Sequence, residues 1–481
     1  MIYKGGSDMT SPYNRRDFLK TLGAASLAAG PLLNGCGRLS SSGRKPNVVI
    51  IFADDLGYGD IGVYGHPTIN TPHLDRMAAE GQKWTNFYVA ASVCTPSRAG
   101  LLTGRLPVRS GMCSDVEGVL YPNSTGGLPA NEVTMAEALK SQDYATACVG
   151  KWHLGHLPPY LPTANGFDSY FGIPYSNDMC STRPDWPDYE RTFDPKSEYW
   201  NVPLMRNEEI VERPTDQTSL TRRYTEEAVR FIQNNIENPF FLYLAHNMPH
   251  IPLFASDSFD GKSRRGLYGD VIEEIDWSVG QVLSTLRKEG LAENTLVVFT
   301  SDNGPWLYFL HHGGSAGLLR EGKDTAWEGG FREPGLFWWP GTIRPGVVSQ
   351  MGSTLDLFPT VCHLAGVEIP DDRIMDGLDL RPALLGSGKS PRDTMFYYIG
   401  TRLYAVRKGP FKAHFTTITE PFRPGSRSVI HDPPLLFNLE HDPSEKYDVA
   451  ADHPDVIADI INEVERHKAN LVPGEDQLAK R

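Results

Sequence analysis

Apolar side chains fill four short runs of the chain almost without alternation: Val48-Val49-Ile50-Ile51-Phe52, Ala145-Thr146-Ala147-Cys148-Val149, Phe240-Phe241-Leu242-Tyr243-Leu244 and Leu296-Val297-Val298-Phe299. Runs of this length without a polar face read as strands covered on both sides, the condition of a parallel sheet. Between them the spacing changes to that of helices. It is clearest from Tyr268 to Glu289, where Val271, Ile272, Ile275, Val279, Val282, Leu283 and Leu286 share one face and Gly290 follows as a stop. The alternation predicts an α/β fold, a mostly parallel sheet sandwiched by helices.

Downstream of a helical stretch, Thr354 to Ala365, and a Pro/Gly/Asp-rich segment, Val367 to Ser390, the pattern turns to short aromatic strands. These are Met395 to Ile399, Tyr404 to Arg407, Phe411 to Phe415 and Leu435 to Leu439, followed by a helical pattern from Pro454 to His467. They predict a small antiparallel C-terminal sheet capped by a helix. The reading divides the chain into a leader (1–36), a linker (37–45), a catalytic domain (46–390) and a C-terminal subdomain (391–481). Pro158 to Pro214, rich in proline and aromatic residues, reads as long loops that decorate the sheet.

Ligands of open α/β sheets sit beyond the carboxyl ends of the strands. All four apolar runs end there in polar groups: Asp54-Asp55, then Lys151 and His153, then His246 and His250, then Asp302-Asn303. One polar ending says little, whereas four predict a single site. Asp54, Asp55, Asp302 and Asn303 offer only hard oxygen donors, which suits Ca²⁺, with Mg²⁺ the weaker match. Arg98, Lys151, Lys323, His153 and His250 supply the opposite charge and could surround a small tetrahedral oxyanion.

Charge narrows the partners. A net charge of -13 over 481 residues, with no long run of Lys or Arg, speaks against nucleic acid and against an anionic membrane surface. The six cysteines form no C-x-x-C pair, so neither a zinc site nor a dense disulfide framework is signalled; a bridge between Cys113 and Cys180 stays open. At the N-terminus, Asn14-Arg15-Arg16-Asp17-Phe18-Leu19-Lys20 is a twin-arginine pattern. A weakly apolar run follows it and ends in Leu32-Leu33-Asn34-Gly35-Cys36, which resembles a lipobox. Export to the periplasm or cell surface is expected, with a lipid anchor at Cys36 as the membrane attachment.

Cys94 is the residue this chemistry does not explain. With Thr95 as N-cap, Pro96 in the first turn and Gly104 as stop, it stands at a helix mouth that would favour a thiolate. Yet a thiolate is a poor companion for a hard cation and carboxylates.

The run Cys94-Thr95-Pro96-Ser97-Arg98-Ala99-Gly100-Leu101-Leu102-Thr103-Gly104-Arg105 resembles the signature of the type I sulfatases, in which such a cysteine is converted to Cα-formylglycine. Gly317 to Lys323, Trp327 to Pro334, Trp339-Pro340-Gly341 and Leu436-Phe437-Asn438-Leu439 are similar to the arylsulfatase A and N-acetylgalactosamine-6-sulfatase branch. The resemblance implies an alkaline-phosphatase-like fold and a maturase as partner. It assigns calcium to Asp54, Asp55, Asp302, Asn303 and residue 94, and the formylglycine hydrate to Arg98 and Lys151. His153 would help the hydrate collapse; His250, Lys323 and, less directly, Ser176 would bind sulfate. One hydroxyl of the hydrate, with Asp302 as base, would attack sulfur while His250 or Lys323 protonates the departing alcohol. The second, deprotonated by His153, would expel sulfate. The implied substrate is a sulfated saccharide, of the 6-sulfated galactose or N-acetylgalactosamine type, at a chain end. A phosphatase or phosphonate monoester hydrolase, and a non-catalytic lipoprotein that binds sulfated glycans, are the alternatives.

Overall fold

The computed structural model of the protein describes residues 44–183, 192–423 and 425–481. The leader and its Cys36 lie outside the described residues, as does part of the Pro158 to Pro214 loops. Among the described residues no helix is long and apolar enough to cross a membrane.

Ten strands form one sheet: β1 Asn47–Ala53, β2 Gln82–Tyr88, β3 Ala145–Gly150, β4 Ser169–Gly172, β5 Leu204–Arg206, β6 Glu209–Glu212, β7 Phe240–Ala245, β8 Thr295–Ser301, β9 Arg332–Trp338 and β10 Gly346–Ser353. Their order is β10-β2-β9-β8-β1-β7-β3-β4-β5-β6. The four apolar runs are the adjacent strands β8, β1, β7 and β3, paired in parallel. β4 continues the parallel set, while β9 runs antiparallel to both β8 and β2. The sheet is therefore mixed at its margins and parallel at its centre.

Period-two geometry divides the central strands between two cores. Val49 and Ile51 of β1 join Leu74, Tyr224, Val279 and Leu283, which come from the helices Pro72–Glu80, Leu220–Asn234 and Leu267–Lys288. Val48, Ile50 and Phe52 join Leu101, Met135 and Phe358, from the helices on the opposite face. Every residue of β1, β7 and β8 is buried. Burial on both faces is what selects continuous apolar runs, so the reading from sequence and the sheet agree for a physical reason.

The C-terminal region forms a second sheet, β11 Thr394–Ile399, β12 Arg402–Lys408, β13 Phe411–Thr417 and β14 Val429–Asn438, antiparallel throughout and packed under the helix Pro454–Ala469. Cys113 and Cys180 are free thiols, so the bridge left open above is not made.

Candidate active site

Cys94 opens the helix Cys94–Thr103, whose ten residues are all buried. The N-cap is Val93 in extended geometry, without a side-chain cap bond, and not Thr95. The Thr95 hydroxyl instead donates to His153 O at 3.0 Å, tying the helix to the loop after β3. Gly104 ends the helix in the left-handed conformation at φ 67°, as its type suggests.

Around this helix mouth the strand ends converge. Lys151 Nζ donates to Asp54 Oδ2 at 2.6 Å and to Ser176 Oγ at 3.2 Å. Lys323 Nζ reaches both oxygens of Asp55, at 2.7 and 2.8 Å, and lies 3.5 Å from Cys94 Sγ. Arg98 places Nε and Nη2 on Asp302 Oδ2 at 3.0 and 2.7 Å and donates from Nη1 to Lys151 O. Asp55 N–H donates to Asp302 Oδ1 at 3.1 Å, and Asn303 Nδ2 donates to Asp55 Oδ1 at 2.7 Å. Asp55 and His153 adopt left-handed backbone, φ 66° and 59°, which non-glycine residues hold only where the surroundings impose it.

Three buried carboxylates thus face three buried cations, and burial sets their proton affinities. Burial pushes Asp54 up, but the charges of Lys151, Arg98 and Lys323 outweigh it and hold Asp54 well below the usual carboxylate range. Asp302 is pushed up to about 7, first by burial and then by the charge of Asp54, against the pull of Arg98. Burial also raises the Cys94 thiol far above its ordinary value despite Lys151 and Lys323. The helix mouth therefore does not make a thiolate. The sulfur sits 3.5 Å from Asp54 Oδ1, so the carboxylate in contact with residue 94 is Asp54 and not Asp302, whose oxygens face Arg98 and the Asp55 amide.

Both histidines of the site are buried, and burial followed by a neighbouring lysine holds each well below its usual range, Lys151 for His153 and Lys323 for His250. Their backbone contacts fix the tautomers. His153 Nε2 meets Leu120 O at 2.8 Å, which leaves Nδ1 as the free acceptor, and that buried atom has no partner. His250 Nδ1 meets Ile251 O at 2.5 Å, which turns the Nε2 lone pair toward Ser176 Oγ, 3.4 Å away.

A metal would find hard donors here. Ligand atoms of Asp54, Asp55, Cys94 and His250 lie within 4.8 Å of one another. Asn303 Oδ1 is buried without a partner. This orphaned amide oxygen beside clustered carboxylates fits a divalent cation of the calcium or magnesium type. The cluster itself contains His250, which the sequence reading places on the sulfate, while Asp302 is drawn away by Arg98.

A cavity of about 230 Å³ lies over the thiol, lined by Cys94, His153, Ser176, His250 and Lys323 together with Asp178, Trp306, Asp324 and Phe422. The sequence reading misses the last four. Trp306 packs against His250, ring centroids 5.5 Å apart, and carries Lys323 Nζ 4.4 Å above its ring. Asp178 stands two residues after Ser176 and Asp324 directly after the Gly317 to Lys323 run, whereas Phe422 carries no local signal. Of the remaining histidines, His246 meets Ser278 Oγ through Nε2 at 3.1 Å, while its buried Nδ1 has no partner.

An α/β sandwich that gathers acids, cations and a buried thiol at its parallel strand ends belongs to the class of hydrolases that handle a small tetrahedral oxyanion. Comparison with known proteins narrows the class. Residues 46–367 match the family model described as Sulfatase, and residues 390–481 match the C-terminal region of aryl-sulfatase. The chain is 45% identical to Arylsulfatase A of Bos taurus over 433 residues, covering 85% of this chain and 84% of that protein. It is 42% identical to N-acetylgalactosamine-6-sulfatase of Canis lupus familiaris over 473 residues, covering 90% and 88%. Among solved structures, the PsFucS1 sulfatase from Pseudoalteromonas sp. superposes with a TM-score of 0.80 at 30% identity, covering 90% of this chain and 93% of that one. The chain belongs to the sulfatase family, and its reaction is the hydrolysis of a sulfuric ester.

Proposed function

We propose that residue 94, converted from cysteine to Cα-formylglycine by a maturase, is the nucleophile, and that the substrate is a sulfated carbohydrate of the 6-sulfated galactose or N-acetylgalactosamine type. The observation that carries this is the state of Cys94. It lines the cavity at the head of the Cys94-Thr95-Pro96-Ser97-Arg98 run, its sulfur 3.5 Å from both the Asp54 carboxylate and the Lys323 ammonium, and burial raises its thiol, so the place suits a hydrate better than a thiolate. As a hydrate, residue 94 would supply one hydroxyl to attack sulfur and a second to expel sulfate. We assign a calcium ion to Asp54, Asp55, Asp302, Asn303 and residue 94, where it would neutralise developing charge.

The remaining roles follow from the side chains. Arg98 and Lys151 hold residue 94 and its carboxylates in place. Asp302, the base of the sequence reading, turns its oxygens to Arg98 and the Asp55 amide, so Asp54, the carboxylate in contact with residue 94, is placed to take the proton of the attacking hydroxyl. Lys323 keeps its proton, because the Asp55 and Asp54 carboxylates outweigh the effect of burial, and so aims a fixed positive charge at the sulfate and the leaving oxygen. His250 becomes a donor at Nε2 only when the charge of bound sulfate draws a second proton onto it, and Ser176 steadies that nitrogen. His153 Nδ1, partnerless and facing the cavity residues, takes the proton of the second hydroxyl. The carbohydrate assignment draws on the similarity to N-acetylgalactosamine-6-sulfatase. Export of the folded chain, with an anchor at Cys36, belongs to the same proposal. So does the division into leader 1–36, linker 37–45, catalytic domain 46–390 and C-terminal subdomain 391–481.

Mass spectrometry of the residue-94 peptide from the native host, with desulfation assays on sulfated saccharides and phosphate esters, tests the reading. The expected result is an aldehyde at position 94. Activity on sulfate esters should be lost with chelation and restored by Ca²⁺ more fully than by Mg²⁺. A matured population that is only a thiol, or turnover of phosphate esters alone, would overturn it.

A further inference from the structure

Two further cavities adjoin the one above the thiol, each sharing a different part of its lining. A cavity of about 300 Å³ shares Val93, Gly118 and Asp324 with it and runs under the C-terminal sheet, past Asp115, Glu117 and Arg402. A cavity of about 170 Å³ shares Trp306, Lys323 and Phe422 with it and is flanked by Tyr308. The two have no lining residue in common.

Their chemistries differ. The smaller cavity has an aromatic wall, with ring centroids of Trp306 and Phe422 5.1 Å apart and those of Tyr308 and Phe422 6.2 Å apart. Tyr308 is 50% exposed and Phe422 36%, so both rings present surface to a ligand. Trp306 Nε1–H is buried with no acceptor, a donor aimed at nothing in the described chain. The larger cavity is polar. Arg402 lies 3.6 Å from Asp115 with three-quarters of its side chain exposed, and Asp324, at the junction, presents a carboxylate within reach of both spaces. An aromatic wall suits the apolar face of a pyranose, and paired charged groups suit its hydroxyls.

We infer that the site takes an internal sulfated unit of an oligosaccharide, with the neighbouring units seated in the polar and the aromatic cavity, in place of the chain-end unit that the sequence suggests. A chain-end unit has one neighbouring unit to seat, whereas two cavities adjoin this site. The inference rests on the carbohydrate reading above. Binding of the neighbouring units would be used to position the sulfate, so lengthening the substrate should raise kcat and not merely lower KM.

The experiment compares N-acetylgalactosamine 6-sulfate, a chondroitin 6-sulfate hexasaccharide and 4-nitrophenyl sulfate as substrates of the matured enzyme, with the positions of desulfation mapped by mass spectrometry. The hexasaccharide should exceed the monosaccharide in kcat/KM by roughly tenfold or more and lose sulfate from internal units. Tyr308→Ala and Arg402→Ala, on separate arms and both at exposed positions, should each lower the hexasaccharide-to-monosaccharide ratio by about threefold to tenfold. Because the readout is a ratio, partial loss of folded enzyme does not imitate it. Equal kcat/KM on the two sugars, or loss of sulfate from terminal units alone, overturns this inference and leaves the carbohydrate reading standing. Turnover of 4-nitrophenyl sulfate with neither sugar accepted overturns both.

Discussion

Arg98 governs the charge balance of the site. Its guanidinium is fully buried, grips Asp302 Oδ2 through two nitrogens, lies 3.5 Å from Asp54 and donates to Lys151 O, so one planar group ties two acids to a backbone carbonyl. A lysine there would keep the charge and lose the fork. Arg98→Lys should therefore reduce kcat/KM by roughly a hundredfold and lower the melting temperature, since weakening a buried pair leaves Asp302 under-compensated. Steady-state kinetics beside calorimetry checks this; kcat/KM within twofold of the parent would reduce Arg98 to a point charge. The sequence names this residue through its motif, but nothing in the motif shows that Arg98 binds Asp302, a partner 204 positions away.

At the scale of elements, the strand ends do the positioning. Gly150 closes β3 at φ 113°, and a Cβ there would fall 1.8 Å from Ala245 O, so only glycine lets β3 and β7 deliver Lys151 and His246 side by side. His246, at the end of β7, is buried against Ser278 of the helix Leu267–Lys288, and burial lowers it to about 4 from an ordinary value near 6.5. A histidine depressed in the folded state binds its proton more readily when the chain is unfolded. Its contribution to stability is thus complete above pH 6.5 and is lost as pH falls from there toward 4. The loss is on the order of 3 kcal/mol when complete. Melting curves between pH 7 and 4 should fall less steeply for His246→Gln than for the parent, and parallel curves would sink the assignment. The four central strands were legible because double-sided burial writes itself as an unbroken apolar run. β2, β9 and β10 were not, since Gln82-Lys83-Trp84-Thr85-Asn86 and Arg332-Glu333-Pro334 mix polar groups into strands at the sheet margin.

Across the whole molecule, a buried network joins the two sheets. Glu328 accepts from Tyr88, Tyr397 and Lys412 at 2.6, 2.9 and 2.9 Å, and Glu445 accepts from Lys412, His414 and the Glu328 amide. Arg320 donates to Glu445 O and lies over the Trp327 ring at 3.7 Å, so the segment from 320 to 328, which carries Lys323 into the site, is clamped at both ends. Burial alone would raise Glu328, but Lys412, Arg332 and Arg407 hold it far below the carboxylate range. Lys412→Met keeps the length and removes the one ammonium that Glu328 and Glu445 share, which should cost about 3 to 5 kcal/mol of stability. Denaturant unfolding measures it directly; a change below about 1 kcal/mol would mean that the network is replaceable by packing.

The sequence by itself determined the central parallel sheet, the antiparallel C-terminal sheet and the polar groups that gather at the strand ends, because burial and the ends of buried strands leave local marks. Only the tertiary structure decided their pairings: Arg98 on Asp302, Lys323 on Asp55, and Asp54 rather than Asp302 against residue 94. It also decided the walls of the cavity, where Trp306, Asp178, Asp324 and Phe422 meet from three separate loops. Contacts between residues hundreds of positions apart depend on how the helices and strands pack, and packing leaves no periodic trace at the residues it brings together.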